Sequence, residues 1–310
     1  MPSNRLISLL SVGFLGAALA LSQPIAAVSA SDTDAIASTP QQDESAQTTL
    51  TVARLPLSMY DINAAFVEII AETKGFTVQY LDGLHADLFP ALAEGEADVL
   101  TSLWLPYDHR TYWEAHGDDY VTIGTIFQNG LSYFAVPDYV DQSIQSVDDL
   151  ARPEVAERFS QTIPTIHVGT SMYEKSVQTV AAYGLDTVGF AVEPGDSESW
   201  EAALETAIAN EEWIVFPLWE PQFLNRAYNL RPLVEPQGIF GGREATFLVA
   251  NADWAREADP ALLTSLSRIN ISLQDLNELD YQVNVEGLTA RAAVEAYFEA
   301  RPGLLEEWTR

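Results

Sequence analysis

Short apolar runs alternate with longer amphipathic stretches from residue 50 onward. The runs are rich in the β-branched and aromatic residues typical of buried strands, whereas the stretches repeat their apolar residues at helical spacing. The first five segments therefore predict the order strand, helix, strand, helix, strand, at residues 50–55, 61–75, 76–81, 87–97 and 98–105. This order predicts a parallel sheet whose ligand positions lie outside the carboxyl ends of its strands.

Two further strands are predicted at 121–127 and 131–137, and a short acidic helical region follows at 146–159. A second alternation then begins at the sequence TIHVG. It comprises three strands and two helices, at 165–169, 171–184, 189–194, 197–212 and 213–219. Two such alternations predict an α/β protein of two lobes, each with a mixed or parallel sheet flanked by helices.

The chain ends with one more predicted strand, at 245–251, and with helical patterns that fill most of the sequence after it. A return strand followed by helices indicates that the chain crosses back to the first lobe. We therefore expect lobe I to comprise residues 50–137 plus 244–310 and lobe II to comprise residues 138–243. The ligand cleft is expected between the two lobes.

The N-terminal 30 residues have the pattern of a secretory signal peptide. One basic residue, Arg5, precedes an apolar run from 6 to 21, and Ala30 ends a small-residue cleavage site. This run of 16 residues is shorter than the roughly 20 that span a bilayer. We expect cleavage after residue 30 and export to the periplasm, followed by a disordered polar linker at 31–49.

Charge and cysteine content narrow the range of partners. The chain has 15 basic and 45 acidic residues, which gives a formal net charge of −30. Such a surface repels nucleic acid and anionic lipid, and it suits a protein that stays hydrated in concentrated salt. No cysteine is present, so neither a disulfide framework nor a lipid-modified cysteine is available. We expect a soluble monomer.

Motifs of catalysis and of metal binding are missing from the sequence. The four histidines, His85, His109, His116 and His167, have neither the spacing of a zinc site nor cysteine partners. The sequence also has no G-x-S-x-G, P-loop or G-x-G-x-x-G motif. These observations predict a binding protein without a catalytic residue, metal or cofactor.

Aromatic residues stand where several predicted strands end. Trp104 and Trp219 each end a strand in the same motif, W-x-P, one in each predicted lobe. Tyr60 follows the first strand, Tyr133 lies in the strand that enters lobe II, and Tyr173 opens the helix after TIHVG. If these strand ends face one cleft, the five rings form an aromatic cage. The remaining tryptophans are expected to pack in the core or on the surface: Trp113, Trp200, Trp213, Trp254 and Trp308.

Two blocks of sequence carry a resemblance to a known family. Residues 95–125 read GEADVLTSLWLPYDHRTYWEAHGDDYVTIGT, and residues 213–241 read WIVFPLWEPQFLNRAYNLRPLVEPQGIFG. Both resemble the W-x-P blocks of the OpuAC-like or ProX-like substrate-binding proteins of glycine betaine and choline ABC importers. The resemblance extends over nearly all of 50–250. It implies a two-lobed periplasmic-binding-protein fold of type II, with a quaternary ammonium held among aromatic rings.

The resemblance also implies a function and partners. It predicts a periplasmic solute-binding component that captures its ligand by lobe closure and delivers it to a membrane permease with its ATPase. A trimethylammonium group has no N–H and is attracted to the faces of Trp and Tyr rings. A ligand carboxylate would need other donors, for which we expect His109, Thr170 and Ser171, the last two at a helix N-terminus.

Two departures from the family pattern bear on the identity of the ligand. Gln222 stands after the second W-x-P, where the family often has a histidine that serves the betaine carboxylate. Two of the expected cage positions are tyrosine where glycine betaine binders often use tryptophan. Glycine betaine is our first expectation, and choline, carnitine and dimethylsulfoniopropionate stay open. Two other functions also stay open: a sensor that docks on a membrane receptor, and a secreted hydrolase or lyase that uses the cleft.

Overall fold

The computed structural model describes residues 49–310. The predicted signal peptide and all of the predicted linker except Thr49 lie outside the described residues, and Thr49 itself begins the first strand. Among the described residues, none of the helices combines the length and the apolar character that crossing a bilayer requires.

The first five elements form the predicted βαβαβ unit. In chain order they are β1 (Thr49–Arg54), α1 (Ser58–Thr73), β2 (Thr77–Asp82), α2 (His85–Glu94) and β3 (Val99–Leu105). Strand β1 pairs in parallel with β2 on one side and with β3 on the other, so the predicted parallel sheet is confirmed. The carboxyl ends of all three strands consequently lie at one edge of the sheet, followed by Leu55, Gly83 and Pro106.

One long strand replaces the two predicted at 121–127 and 131–137. After α3 (Arg110–His116), β4 runs without interruption through Tyr120–Pro137. Its first part pairs antiparallel with β9 (Glu244–Asn251). Its last part pairs antiparallel with β7 (Phe216–Glu220) and β8 (Leu230–Pro232). The prediction of two separate strands is therefore wrong. The turn-like residues that interrupt the apolar pattern lie within β4, where register shifts opposite β9 accommodate them.

The second alternation forms only in part as predicted. After the short helices α4 (Val147–Leu150) and α5 (Pro153–Ala156), β5 (Thr162–Thr165) pairs in parallel with β6 (Ala191–Pro194). Helix α6 (Ser171–Ala182) connects these two strands, and α7 (Ser197–Ala209) leads to β7. Strand β7 does not extend this sheet but pairs antiparallel with β4.

The predicted strand at 165–169 is wrong, since β5 ends at Thr165 and the following residues turn into α6. Gly169 has a φ of 88°, a left-handed backbone angle that glycine adopts without steric cost. Thr170 then caps α6, because its hydroxyl accepts a hydrogen bond from the backbone N–H of Tyr173. These two residues end the extended backbone and begin the helix.

The C-terminal helices pack against α1. After α8 (Leu224–Ala227) and β9 they are α9 (Ala252–Glu257), α10 (Pro260–Leu266), α11 (Leu273–Asn284), α12 (Ala290–Glu299) and α13 (Leu304–Thr309). Phe66 on α1 lies among the rings of Tyr297, Phe298 and Trp308, with centroids 5.4 to 5.9 Å away. The C-terminal helices therefore lie against α1, and the assignment of residues to two lobes stays our proposal.

Candidate ligand-binding site

A cavity of about 40 Å³ lies at the carboxyl ends of the first three strands. It is lined by residues at or after the ends of β1, β2 and β3, by one residue of β4, and by residues from the turn before α6, the start of α6 and the end of β7. The lining consists of Leu57, Tyr60, His85, Trp104, Asp108, His109, Ser132, Ile166, Thr170, Ser171, Met172 and Trp219. This position is where a doubly wound α/β sheet is expected to bind its ligands.

The Trp104 ring is held in place by close packing. Trp104 is the penultimate residue of β3, 3% exposed, and its ring meets Phe127 edge-on at 5.2 Å between centroids. The ring also lies directly over the backbone of Gly130, where an added Cβ would stand 2.5 Å from a ring carbon. Any larger residue at 130 would therefore displace the ring.

Trp219 is supported by a stack of aromatic rings. Its ring lies parallel to that of Trp200, with centroids 4.9 Å apart and an angle of 11° between the planes. Trp200 in turn stacks on Phe216 at 4.7 Å and is 1% exposed, so the expectation of core packing for Trp200 is confirmed. The Trp219 carbonyl accepts a hydrogen bond of 2.8 Å from the Asn225 side chain. The stack and this bond fix the orientation of the ring toward the cavity.

The segment after Trp219 is attached to helix α11. The backbone N–H of Phe223 donates to Asp280 at 2.6 Å, and that of Gln222 donates to Asn277 at 2.9 Å. The Gln222 side chain accepts from the backbone N–H of Leu224 at 2.8 Å and does not line the cavity. The side chain at this position is therefore used to cap the local turn.

Tyr60 and His85 lie beside each other on the wall formed by the first half of the chain. Tyr60 is in the first turn of α1, and His85 is the first residue of α2. Their rings meet edge-on at 6.2 Å between centroids. Burial, together with the negative charge of Asp108, raises the pKa of Tyr60 above its ordinary value, so its hydroxyl stays protonated.

Asp108 forms a polar network across the cavity. Its carboxylate accepts hydrogen bonds from Ser171 at 2.9 Å and from Ser132 at 3.0 Å, and it forms an ion pair with Lys175. Lys175 also donates to the backbone carbonyl of Phe240 at 2.9 Å. Asp108 is absent from the site residues predicted from the sequence, although it stands between Trp104 and His109 in the first W-x-P block.

Glu244 stabilises the same turn after β3. It accepts hydrogen bonds from the backbone N–H groups of Tyr107 and Asp108, the latter at 2.9 Å. Burial and the neighbouring charge of Asp108 raise the pKa of Glu244 to about 7. The charge of Asp108 is thus compensated by Lys175, and the carboxyl group of Glu244 is held close to its neutral form.

His109 stabilises the turn after β3 through two reciprocal hydrogen bonds with Trp104. The backbone N–H of Trp104 donates to His109 Nδ1 at 3.0 Å, and the backbone N–H of His109 donates to the Trp104 carbonyl, also at 3.0 Å. Burial lowers the pKa of His109 to about 3, which keeps the imidazole neutral. His109 therefore lines the cavity, and its Nδ1 is already engaged by the backbone of Trp104.

The two hydroxyls predicted at the start of α6 both line the cavity and both have partners. Thr170 donates to the backbone carbonyl of His167 at 2.9 Å, and Ser171 donates to Asp108 at 2.9 Å. Six of the eight side chains predicted for the site therefore meet at one cavity. They are Tyr60, Trp104, His109, Thr170, Ser171 and Trp219.

The structure does not bring Tyr133 and Tyr173 to the cavity. Successive residues of a strand point to opposite faces, and in β4 it is Ser132 that faces the cavity. Tyr133 consequently points away, and its hydroxyl donates to Asn225 at 2.7 Å. On α6, Ser171 and Met172 line the cavity and Tyr173 does not. Helix α6 begins where the sequence predicts, but it is oriented so that Ser171 and Met172 face the cavity instead of Tyr173.

Comparison with protein families gives a match over most of the chain. A family described as the substrate binding domain of the ABC-type glycine betaine transport system matches residues 48–300. The chain belongs to this family. Its membership confirms the resemblance in the two W-x-P blocks and agrees with the expectation of a binding protein rather than an enzyme.

A curated relative and several solved structures are similar to this OpuAC-family chain. A glycine betaine/carnitine transport binding protein of Listeria monocytogenes is 20% identical over 159 residues, which is 51% of this chain and about half, 52%, of the relative. A lactococcal OpuAC complexed with glycine betaine has a TM-score of 0.77 at 22% identity, covering 85% of this chain and 100% of the other. A choline binding protein in complex with choline has a TM-score of 0.75 at 19% identity, covering 84% and 91%.

These structures share the fold of the described residues. They are substrate-binding proteins of two lobes with a cleft between them, so the predicted fold class is confirmed. A third member of the set, the glycine betaine/L-proline-binding protein ProX of Borrelia burgdorferi, has a TM-score of 0.77 at 20% identity and covers 85% of this chain and 97% of its own. At identities of this size the similarity establishes the fold alone.

Proposed function

We propose that this protein is the extracytoplasmic solute-binding component of an ABC importer and that it captures a methylated quaternary ammonium cation. The observation that carries the proposal is the convergence of Trp104, Trp219 and Tyr60 on one cavity. The three residues come from β3, β7 and α1, and no local pattern of sequence would bring them together. Family membership supports the same ligand class.

The chemistry of the cavity suits a cation that cannot donate hydrogen bonds. Aromatic faces carry negative potential and match a surface of methyl groups, and each desolvated ring contributes about 1–2 kcal/mol. Three rings would provide a substantial part of the roughly 8 kcal/mol that micromolar binding requires. Glycine betaine is the first candidate, because an acidic exported protein fits a cell that accumulates osmolytes. Choline, carnitine and dimethylsulfoniopropionate are the alternatives within this class.

Capture would proceed by closure of the two proposed lobes around the ligand. The cavity takes Tyr60 and Trp104 from the proposed lobe I and Thr170, Ser171 and Trp219 from the proposed lobe II. A site lined from both sides opens and closes when the lobes rotate about their connecting strands. The closed, loaded form would then dock on the membrane permease and its ATPase as a monomer, after export through the N-terminal signal.

Calorimetric titration of the purified protein tests this proposal. The ligands are glycine betaine, choline, carnitine and dimethylsulfoniopropionate, with unmethylated glycine as the control, each at low and at high salt. We expect micromolar or tighter binding of at least one methylated cation and no binding of glycine. A folded protein that binds none of them would overturn the proposal, and turnover of a choline ester would favour a hydrolase instead.

A further inference from the structure

His85 is the side chain that the connection after β2 contributes to the cavity. The segment after β1 contributes Tyr60 and the end of β3 contributes Trp104, and both have a role in the proposed cage. His85 is 6% exposed, and its ring lies 4.7 Å from that of His109 and 6.2 Å from that of Tyr60. The ring therefore stands in the cavity wall next to the cage and has no role in the function as proposed so far.

Both ring nitrogens of His85 lack a hydrogen-bond partner among the described residues. A buried polar group without a partner is unfavourable by roughly 1–3 kcal/mol, and native proteins rarely keep one without a use for it. His109, the neighbouring histidine, shows the usual arrangement, with its Nδ1 bonded to the backbone of Trp104. The unpartnered imidazole in a ligand cavity therefore indicates a group that is satisfied when the ligand binds.

Burial keeps the His85 imidazole neutral. Its pKa lies well below the ordinary value because of burial first, and then because of the nearby His109 and His167. A neutral imidazole has one N–H donor and one acceptor nitrogen. It can donate to a carboxylate oxygen, and it can both donate to and accept from a hydroxyl group.

The serine, threonine and aspartate side chains of the cavity are already engaged within the protein. Ser132 and Ser171 donate to Asp108, and Thr170 donates to the carbonyl of His167. Lys175, the cation of the network, is bonded to Asp108 and to the Phe240 carbonyl. Trp104 Nε1 also lacks a partner, but an indole N–H can only donate and its ring already belongs to the proposed cage. His85 is thus the imidazole of the cavity that has both a donor and an acceptor nitrogen left for a ligand.

We infer that His85 is a specificity-determining residue, whose imidazole N–H donates a hydrogen bond to an oxygen atom at the end of the ligand opposite its methylated cation. The inference rests on the proposed function, because it assumes that the cation lies among Trp104, Trp219 and Tyr60. It adds that the ligand carries a carboxylate or a hydroxyl group, and that the aromatic rings alone do not determine the choice of solute.

The test compares ligands with and without the oxygen. Tetramethylammonium has the cation alone, choline adds a hydroxyl, and glycine betaine adds a carboxylate. Each is titrated calorimetrically into the wild type, His85→Leu, and His85→Gln, which retains an N–H donor. His116→Leu, at the end of α3 and outside the cavity lining, is the matched control.

For whichever oxygen-bearing ligand the wild type binds, we expect His85→Leu to weaken binding about tenfold or more, with part of the affinity restored in His85→Gln. Binding of tetramethylammonium should change less than about twofold. An equal effect of His85→Leu on all ligands, or no effect on any, would overturn the inference and leave the proposed function standing. A folded wild type that binds none of the three ligands and neither carnitine nor dimethylsulfoniopropionate would overturn both.

A second measurement follows the hydrogen bond in the wild-type protein itself. The imidazole nitrogen shifts of the wild-type protein are followed by NMR during titration, and the His85 signals are assigned from their loss in His85→Gln. A new hydrogen bond should move the His85 nitrogen shifts with the oxygen-bearing ligand and leave them unmoved with tetramethylammonium. Unmoved shifts with a bound oxygen-bearing ligand would contradict the inference.

Discussion

Lys175 and Asp108 form an ion pair that joins helix α6 to the turn after β3 across the cavity wall. Both side chains are largely buried, with 12% and 13% of their surface exposed. Ser132 and Ser171 add two further hydrogen bonds to the same carboxylate. The pair thus connects the two sides of the proposed cleft and compensates a charge that would otherwise be unpaired beside the ligand.

Replacement of Lys175 by methionine should destabilise the protein by about 2 kcal/mol, because it leaves the Asp108 carboxylate without its counter-ion in a largely buried place. The measurement is equilibrium unfolding in urea. Arg110→Gln is the matched control, since Arg110 pairs with Glu114 on an exposed helix face and such pairs contribute about 0–1 kcal/mol. If both substitutions lower the free energy of unfolding by the same amount, the buried pair contributes no more stability than the exposed one.

Replacement of either cage tryptophan by leucine should weaken binding of the methylated cation more than tenfold, because the electron-rich ring face is lost. Leucine is preferred to alanine since Trp104 and Trp219 are 3% and 7% exposed, and a large cavity would itself be destabilising. Titration calorimetry provides the measurement. Trp308→Leu, at a site 6% exposed and outside the cavity, should lower stability and leave affinity unchanged.

Tyr133→Phe and Tyr173→Phe should each change ligand affinity less than about threefold, since neither hydroxyl lies at the cavity and a phenyl ring replaces each ring. Tyr133→Phe should reduce stability by about 1 kcal/mol through loss of the hydrogen bond to Asn225. Affinity and thermal unfolding are measured on the same samples. A tenfold loss of affinity in either variant would show that the hydroxyl of that tyrosine contacts the ligand.

The stability contributed by Glu244 should depend on pH. Burial and the charge of Asp108 raise its pKa from 4.5 to about 7, so the folded chain retains this proton more tightly than the unfolded chain. The contribution of Glu244 is therefore greatest below pH 4.5, decreases as the pH rises to about 7, and is constant above it.

Glu244→Gln removes this dependence while keeping an oxygen that accepts from Tyr107 and Asp108. The thermal midpoint of the variant minus that of the wild type should therefore increase from pH 4.5 to about 7 and then level off. Unfolding curves of both proteins at half-unit intervals of pH provide the comparison. A difference that stays flat across this range would contradict the expected titration of Glu244.

The sequence alone determined the elements whose signals are local. Apolar spacing predicted α1 and the three parallel strands, because helical and extended backbones repeat their buried positions with different periods. The two W-x-P motifs located both tryptophans of the cavity, since each motif lies within a few residues of a strand end. The family resemblance in the two blocks likewise needed only neighbouring residues.

Tertiary structure decided which side chains meet. Strand β4 is continuous because β9, β7 and β8 pair along its length, and its residue parity turns Ser132 toward the cavity instead of Tyr133. The pairing of Lys175 with Asp108 joins residues 67 positions apart. The placement of His85 beside His109 depends on the packing of α2 next to the turn after β3. Such contacts arise from burial and hydrogen bonding between distant segments, and a pattern of neighbouring residues does not contain them.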